Sequence, residues 1–308
     1  MRKAIWGSMV FIGVMGLWFT VFKLGQLLGA FQLSQPPTYP EQVSTAAPTP
    51  IGENFTYTAL SAQVAPTSGT IIAVQWGDMG QKLVDTGAID LIKYENLMGN
   101  LNDEQQEILL QDTLQHITFT PDNIQFWTNV LWALGLTQHS MVLDEGPMMQ
   151  HAAEVPLGEY ASTGGWTLGK RDAVALYSSG NLMTLTAKQQ VLVYQVAETI
   201  FRPCCGNHTA YPDCNHGMAL LGLLELLAAQ GATAPEMYEA ALIFNSYAFQ
   251  DTYITLAAYF ESQGTAWSDI DPVVILGAEY SSGQSAYETA LQVGPIPGTP
   301  IQAGSCAV

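Results

Sequence analysis

The chain has 308 residues, 9 Lys and Arg against 27 Asp and Glu, and a formal net charge of −18. That balance excludes a nucleic-acid partner, whose footprint would be basic, and disfavours a body lying on an anionic lipid surface. The charged share of 12% is roughly half the usual one, yet 7 Trp, 13 Tyr and 11 Phe supply enough apolar mass for a sizeable core.

The charge is divided along the chain. Arg2, Lys3 and Lys23 precede the first acid, Glu41, and from there all 27 acids face 6 bases, a net −21. Residues 4 to 22 form 19 uncharged positions, long enough to cross a bilayer as a helix. The run lacks a convincing small-x-small cleavage site, Leu28-Gly29-Ala30 being weak, so residues 1–33 read as a cytoplasmic tip and a retained signal anchor. The basic flank favours a cytoplasmic N-terminus, which puts the protein in the plasma membrane as a single-pass chain with its body outside. Residues 34–70 are rich in Pro, Thr, Ser and Ala and read as a flexible linker.

Between 71 and 293 the pattern predicts a single, mainly α domain. A short strand is possible over Thr70 to Gln75. Asn102 to Gln105 opens a helical run through Ile108, Leu109 and Leu114, with acids in its first turn. Thr120-Pro121-Asp122 has the form of an N-cap followed by Pro at the first helical position, ahead of the apolar face Ile124, Trp127, Val130, Leu131 and Leu134. Thr186 to Gln189 opens another helix. Three more follow over Asp213 to Gln230, Ala234 to Phe249 and Asp251 to Gln263, with Gly231 and Gly264 as stops. Met218 to Ala229 is too short to span a membrane and contains Glu225, so it reads as a buried core helix. The Pro- and Gly-rich tail 294–308 reads as loosely ordered.

The most unusual stretch is RPCCGNHTAYPDCNHG, Arg202 to Gly217. Three of the four cysteines and two of the five histidines lie between Cys204 and His216. Pro203 ends the preceding helix, Gly206-Asn207 favours a turn, and Asp213 suits the N-cap of the next helix. Cys214 would then face free backbone N–H groups at a positive helix end, which lowers a thiol pKa. Cys204, Cys205, Cys214 and one imidazole, His216 or His208, make a four-ligand set of sulfur and nitrogen suited to a Zn or Cu ion. Adjacent Cys204 and Cys205 are irregular for such a set, because neighbouring side chains point apart.

Two other readings stay open. An extracytoplasmic domain usually oxidises its cysteines, and Cys306 makes the number even, so the chain could be a disulfide-stabilised binding or scaffold module. Alternatively, an enzyme could use the same cluster, with Glu225 or Asp213 as acid or base. Glu225 shares a helical stripe with Cys214, but eleven residues of helix separate them by roughly 16 Å, so it reads as a buried carboxylate bonded to Asn245, Tyr247 or a neighbouring helix.

Two further segments carry ligand-type or loop-forming residues. His139, Met141, Met148, Met149 and His151 are soft-metal ligand types broken by Gly146-Pro147, and read as core and loop residues. Ala161 to Lys170 is glycine-rich without a Walker pattern, and reads as a turn anchored by Trp166.

Overall fold

A computed structural model describes residues 55–300. Its centre is a pair of helices that are apolar on every side, the pattern of a helix buried all round. One is α5, Ile124–Thr137; the other is α7, Asn215–Ala229, buried from Gly217 to Ala228. They touch backbone to backbone. A Cβ on Gly135 would lie 2.1 Å from the Met218 carbonyl oxygen, and one on Gly222 would lie 2.5 Å from that of Leu131. Glycine at both positions is what permits the contact, and it fixes where α7 begins relative to its surroundings.

Against this pair pack α6 (Ala187–Ala197) and α8 (Ala234–Ala248); α9 (Gln250–Ser262) packs on α8, and α10 (Gly283–Val293) on α9. The helix stops behave as the sequence predicts. Gly231 and Gly264 adopt φ of +87° and +86°, a region that glycine enters without strain. Earlier in the chain come α1 (Tyr57–Val64), α2 (Met79–Asp85), α3 (Leu91–Met98) and α4 (Asp103–Leu110), the last closed by a capping box between Asn102 and Gln105.

Strands β1 (Thr70–Gly77) and β2 (Thr113–Phe119) pair antiparallel, with Thr70 opposite Phe119 and Gly77 opposite Thr113. Their inner face joins an aromatic cluster: Phe119 meets Trp127 at 6.3 Å and Phe244 at 5.7 Å, and Trp76 meets Trp127 edge-on at 5.2 Å. Such edge-to-face pairs add to the area they bury.

Away from the Cys/His cluster and its helix, the elements depart from the sequence reading at four places. The stretch expected as linker to residue 70 contains α1, held by the Thr56 side chain at its N-terminus and packed on α9 through Leu60 and Val64. Of the tail expected to be loosely ordered, the described part, residues 294–300, folds back, since Ile296 is buried and the Pro297 carbonyl accepts the Tyr57 N–H at 2.9 Å. Leu114 belongs to β2 and is exposed, because the helix expected to include it ends at Leu110. Thr120 to Asn123 form a turn before α5 rather than its first turn; Asn123 and Thr120 cap each other, and Ile124 begins the helix.

Among the described residues no helix is long and apolar enough to cross a membrane. The expected anchor at 4–22 and Cys306 lie outside the described residues.

Candidate metal centre

The cluster is built by a loop that doubles back. Phe201 and His208 form an antiparallel bridge, and Thr209 closes the loop again by donating its N–H and hydroxyl to the Ile200 carbonyl. Inside it a turn, with the Cys205 N–H on the Arg202 carbonyl at 3.2 Å, brings the neighbouring Cys204 and Cys205 to the same side. Their sulfurs lie 3.9 Å apart despite adjacency in sequence. The loop is pinned outward by the Gly283 N–H, which donates to the Cys205 carbonyl at 2.8 Å at the start of α10.

The other half comes from the start of α7. Cys214, not Asp213, is the N-cap: its Sγ accepts the Gly217 N–H at 3.4 Å. Cys214 Sγ lies 3.5 Å from Cys204 Sγ. Cys204, Cys214 and His216 offer ligand atoms that all lie within 4.8 Å of one another, and so do Cys205, Asp213 and Cys214. No S–S bond joins the three cysteines. Two Zn–S bonds of about 2.3 Å meeting at a tetrahedral angle set their sulfurs about 3.8 Å apart. The observed 3.5 and 3.9 Å fall on either side of that spacing. This Cys/His cluster could hold a metal ion.

His208 lies in neither group. Its ring packs edge-on to Phe201 at 5.9 Å, and its Nδ1 is buried without a partner. His216 instead rests on Phe249, with ring centroids 4.6 Å apart.

The group that organises the site is Arg202, which is fully buried. Its Nη2 donates to Asp213 Oδ1 at 2.9 Å, to Cys205 Sγ at 3.2 Å and to the Tyr211 carbonyl at 3.3 Å. Asp213 is thereby taken from the capping role expected of it; Asn207 Nδ2 donates to its other oxygen at 2.7 Å. The Asp213 carbonyl receives the Ser162 N–H at 3.0 Å, so the glycine-rich turn, anchored by Trp166 Nε1 on the Ala88 carbonyl, buttresses the site.

The electrostatics favour a ligating state. Hydrogen bonds from the Cys204 and Cys205 thiols pull the Cys214 pKa well below the ordinary thiol value, helped by Arg202 and the Gly217 N–H against the cost of burial. Cys204 is pushed far up, chiefly because its proton is shared with Cys205 and Cys214. Burial lowers His216, which keeps its imidazole neutral and able to ligate. Burial also works against the Arg202 charge, but the three sulfurs and Asp213 outweigh it and hold the guanidinium protonated.

Glu225 is not part of the cluster. It is fully buried on α7 and neither carboxylate oxygen has a hydrogen-bond partner. The partners expected for it are engaged elsewhere. Asn245 donates to the Phe201 carbonyl and to the Tyr253 hydroxyl, and the Tyr247 hydroxyl donates to the Pro66 carbonyl. The Met/His segment is also dispersed: His139 pairs with Asp144 at 3.0 Å, His151 sits on the Pro147 carbonyl, and Met148 is buried in the core.

Sequence reasoning missed Arg202 and Gly217. The available signal was a rare base, in a very acidic chain, immediately before Pro-Cys-Cys. No protein-family model, curated protein or solved structure matches the chain.

Proposed function

We propose that the protein binds one soft or borderline metal ion, Zn(II) or Cu(I), through Cys204, Cys205, Cys214 and His216, for capture, transfer or sensing. The observation that carries this is the approach of Cys204 and Cys214 to 3.5 Å without a bond, with the imidazole of His216 alongside. Thiolate sulfur suits both ions, and three sulfurs with one imidazole nitrogen is a structural zinc set. Exposure is graded across the ligands: Cys204 is exposed, whereas Cys205 and Cys214 are half-buried. An exposed thiolate is the natural point at which an incoming ligand would displace a site ligand, which supports transfer over permanent storage. Residues 4 to 22 would anchor this body outside the plasma membrane, where metal ions arrive.

Full-length protein purified anaerobically, loaded with Zn(II) or Cu(I) and desalted should retain one ion per chain. Full-length protein with intact thiols that retains neither ion overturns the proposal. Intact mass showing four fewer hydrogens, with no free thiol after aerobic isolation, supports the disulfide-stabilised module instead.

A further inference from the structure

A cavity of about 560 Å³ lies beside the cluster, with Asn215 and His216 at the start of α7 forming part of its wall. That volume falls in the range of small-molecule sites, about 300–1,000 Å³. Its apolar wall comes from Met98 on α3, Trp132 on α5 and Trp166, the two indoles meeting at 5.0 Å. Both indole N–H groups are already committed, Trp132 to the Ser162 carbonyl and Trp166 to the Ala88 carbonyl. The two rings therefore offer the cavity carbon surface and no donors. Polar capacity comes from uncharged groups, Asn215, Thr167 and the Asn129 amide, whose Nδ2 also lies 3.5 Å from Met98 Sδ, with Gln125 at the exposed rim. No Asp, Glu, Lys or Arg is among the lining residues, in a chain that carries 27 acids. Leu97 at the rim is 67% exposed, an apolar side chain left in water at the mouth.

We infer that this cavity is a binding site for a neutral organic molecule with a flat apolar body and an amide-like or hydroxyl group that pairs with Asn129 and Asn215. A charged ligand would lose its hydration on entry and meet no opposite charge. An apolar body gains from the carbon surface that Leu97, Met98 and the edges of the two buried indoles present, and side-chain amides can both donate and accept. The inference goes beyond metal binding and does not require it, although His216 belongs to both walls.

The test uses three probes of one shape: 2-naphthamide, 2-naphthoate and 2-naphthamidinium, which are neutral, anionic and cationic. Ligand-observed NMR on the full-length protein, without added metal, should show saturable binding of 2-naphthamide about tenfold or more tighter than either charged analogue. Gln125→Trp and Leu97→Trp, both at exposed rim positions, should each weaken it about tenfold by filling the mouth, with the melting temperature unchanged. Absence of saturable 2-naphthamide binding overturns the inference. So does equal binding of the charged probes, or binding that neither folded rim variant weakens. Retention of Zn(II) or Cu(I) is measured separately on the same preparation, so failure of one property is distinguished from failure of the other.

Discussion

Gly217 is the hole into which Arg202 fits. A methyl group at Gly217 would lie 2.7 Å from Arg202 Cζ, so a side chain at this position in the first turn of α7 has to push the buried guanidinium away from where it meets Cys205 and Asp213. Gly217→Ala should therefore cost about 1–3 kcal/mol through overpacking. It should also weaken metal retention, because the displaced guanidinium no longer holds the loop against the helix start. Urea unfolding and metal titration of the same variant check the two effects together.

Removing the guanidinium is the harsher change. Arg202→Met leaves Asp213 and the Cys214 thiolate without their shared cation in a half-buried site. Breaking a buried charge network by deleting one partner costs about 3–5 kcal/mol. Arg202→Lys should rescue only part of that loss: the guanidinium makes all three contacts through Nη2 alone and leaves Nε and Nη1 unpartnered, and a compact, more strongly hydrated ammonium costs more to bury in its place. Midpoints of urea denaturation for wild type, Arg202→Lys and Arg202→Met should fall in that order.

Metal affinity should rise with pH. Cys214 is held as a thiolate and His216 as a neutral ring, so neither has a proton to lose near neutrality. Cys204 and Cys205 are both raised, so each keeps its proton until an ion displaces it. Each proton released contributes about one decade of affinity per pH unit, giving about two decades between pH 6 and 7. Competition against a chelator of known proton dependence measures the slope. Cys204→Ser should reduce it as well as weaken binding.

Glu225 links stability to pH through a different route. Burial raises its carboxyl pKa well above the ordinary value; the Ser140 hydroxyl, which faces it without making a hydrogen bond, only partly offsets this, and Asp144 adds to it. The native chain thus keeps a proton that the unfolded chain releases above about pH 4.3. Its contribution to stability is full below that pH and is lost as pH rises through the native value. Glu225→Gln removes the carboxyl titration, so it should raise the melting temperature at pH 7.5 by several degrees. The gain should shrink toward pH 4. Thermal melts of both proteins across this range check the sign.

The helical core was legible because its signals are local. The run from Met218 to Ala229, apolar but for Glu225 and too short to cross a membrane, reads as a buried helix, and glycines in the left-handed region end α7 and α9 where they stand in sequence. The density of Cys and His between 204 and 216 marked the site for the same reason. What escaped depends on contacts between distant residues. Strand β2 pairs with a segment about forty residues earlier and exposes Leu114, so its short pattern was absorbed into the preceding helix. The role of Arg202 arises only when the Phe201–His208 bridge closes the loop and α7 presents Gly217 opposite it. That Asn245 and Tyr247 serve backbone carbonyls rather than Glu225 is likewise set by helix packing that no single segment encodes.

Metal binding at this cluster is tested most directly by the identity of the atoms around the bound ion. X-ray absorption spectroscopy of the anaerobically purified, Zn(II)-loaded full-length protein should resolve about three sulfur neighbours near 2.3 Å and one nitrogen near 2.0–2.1 Å. Cys214→Ser should lose part of the sulfur shell. A shell of oxygen and nitrogen alone, from protein whose three clustered thiols are shown to be reduced, would contradict the assignment of this cluster as the metal site.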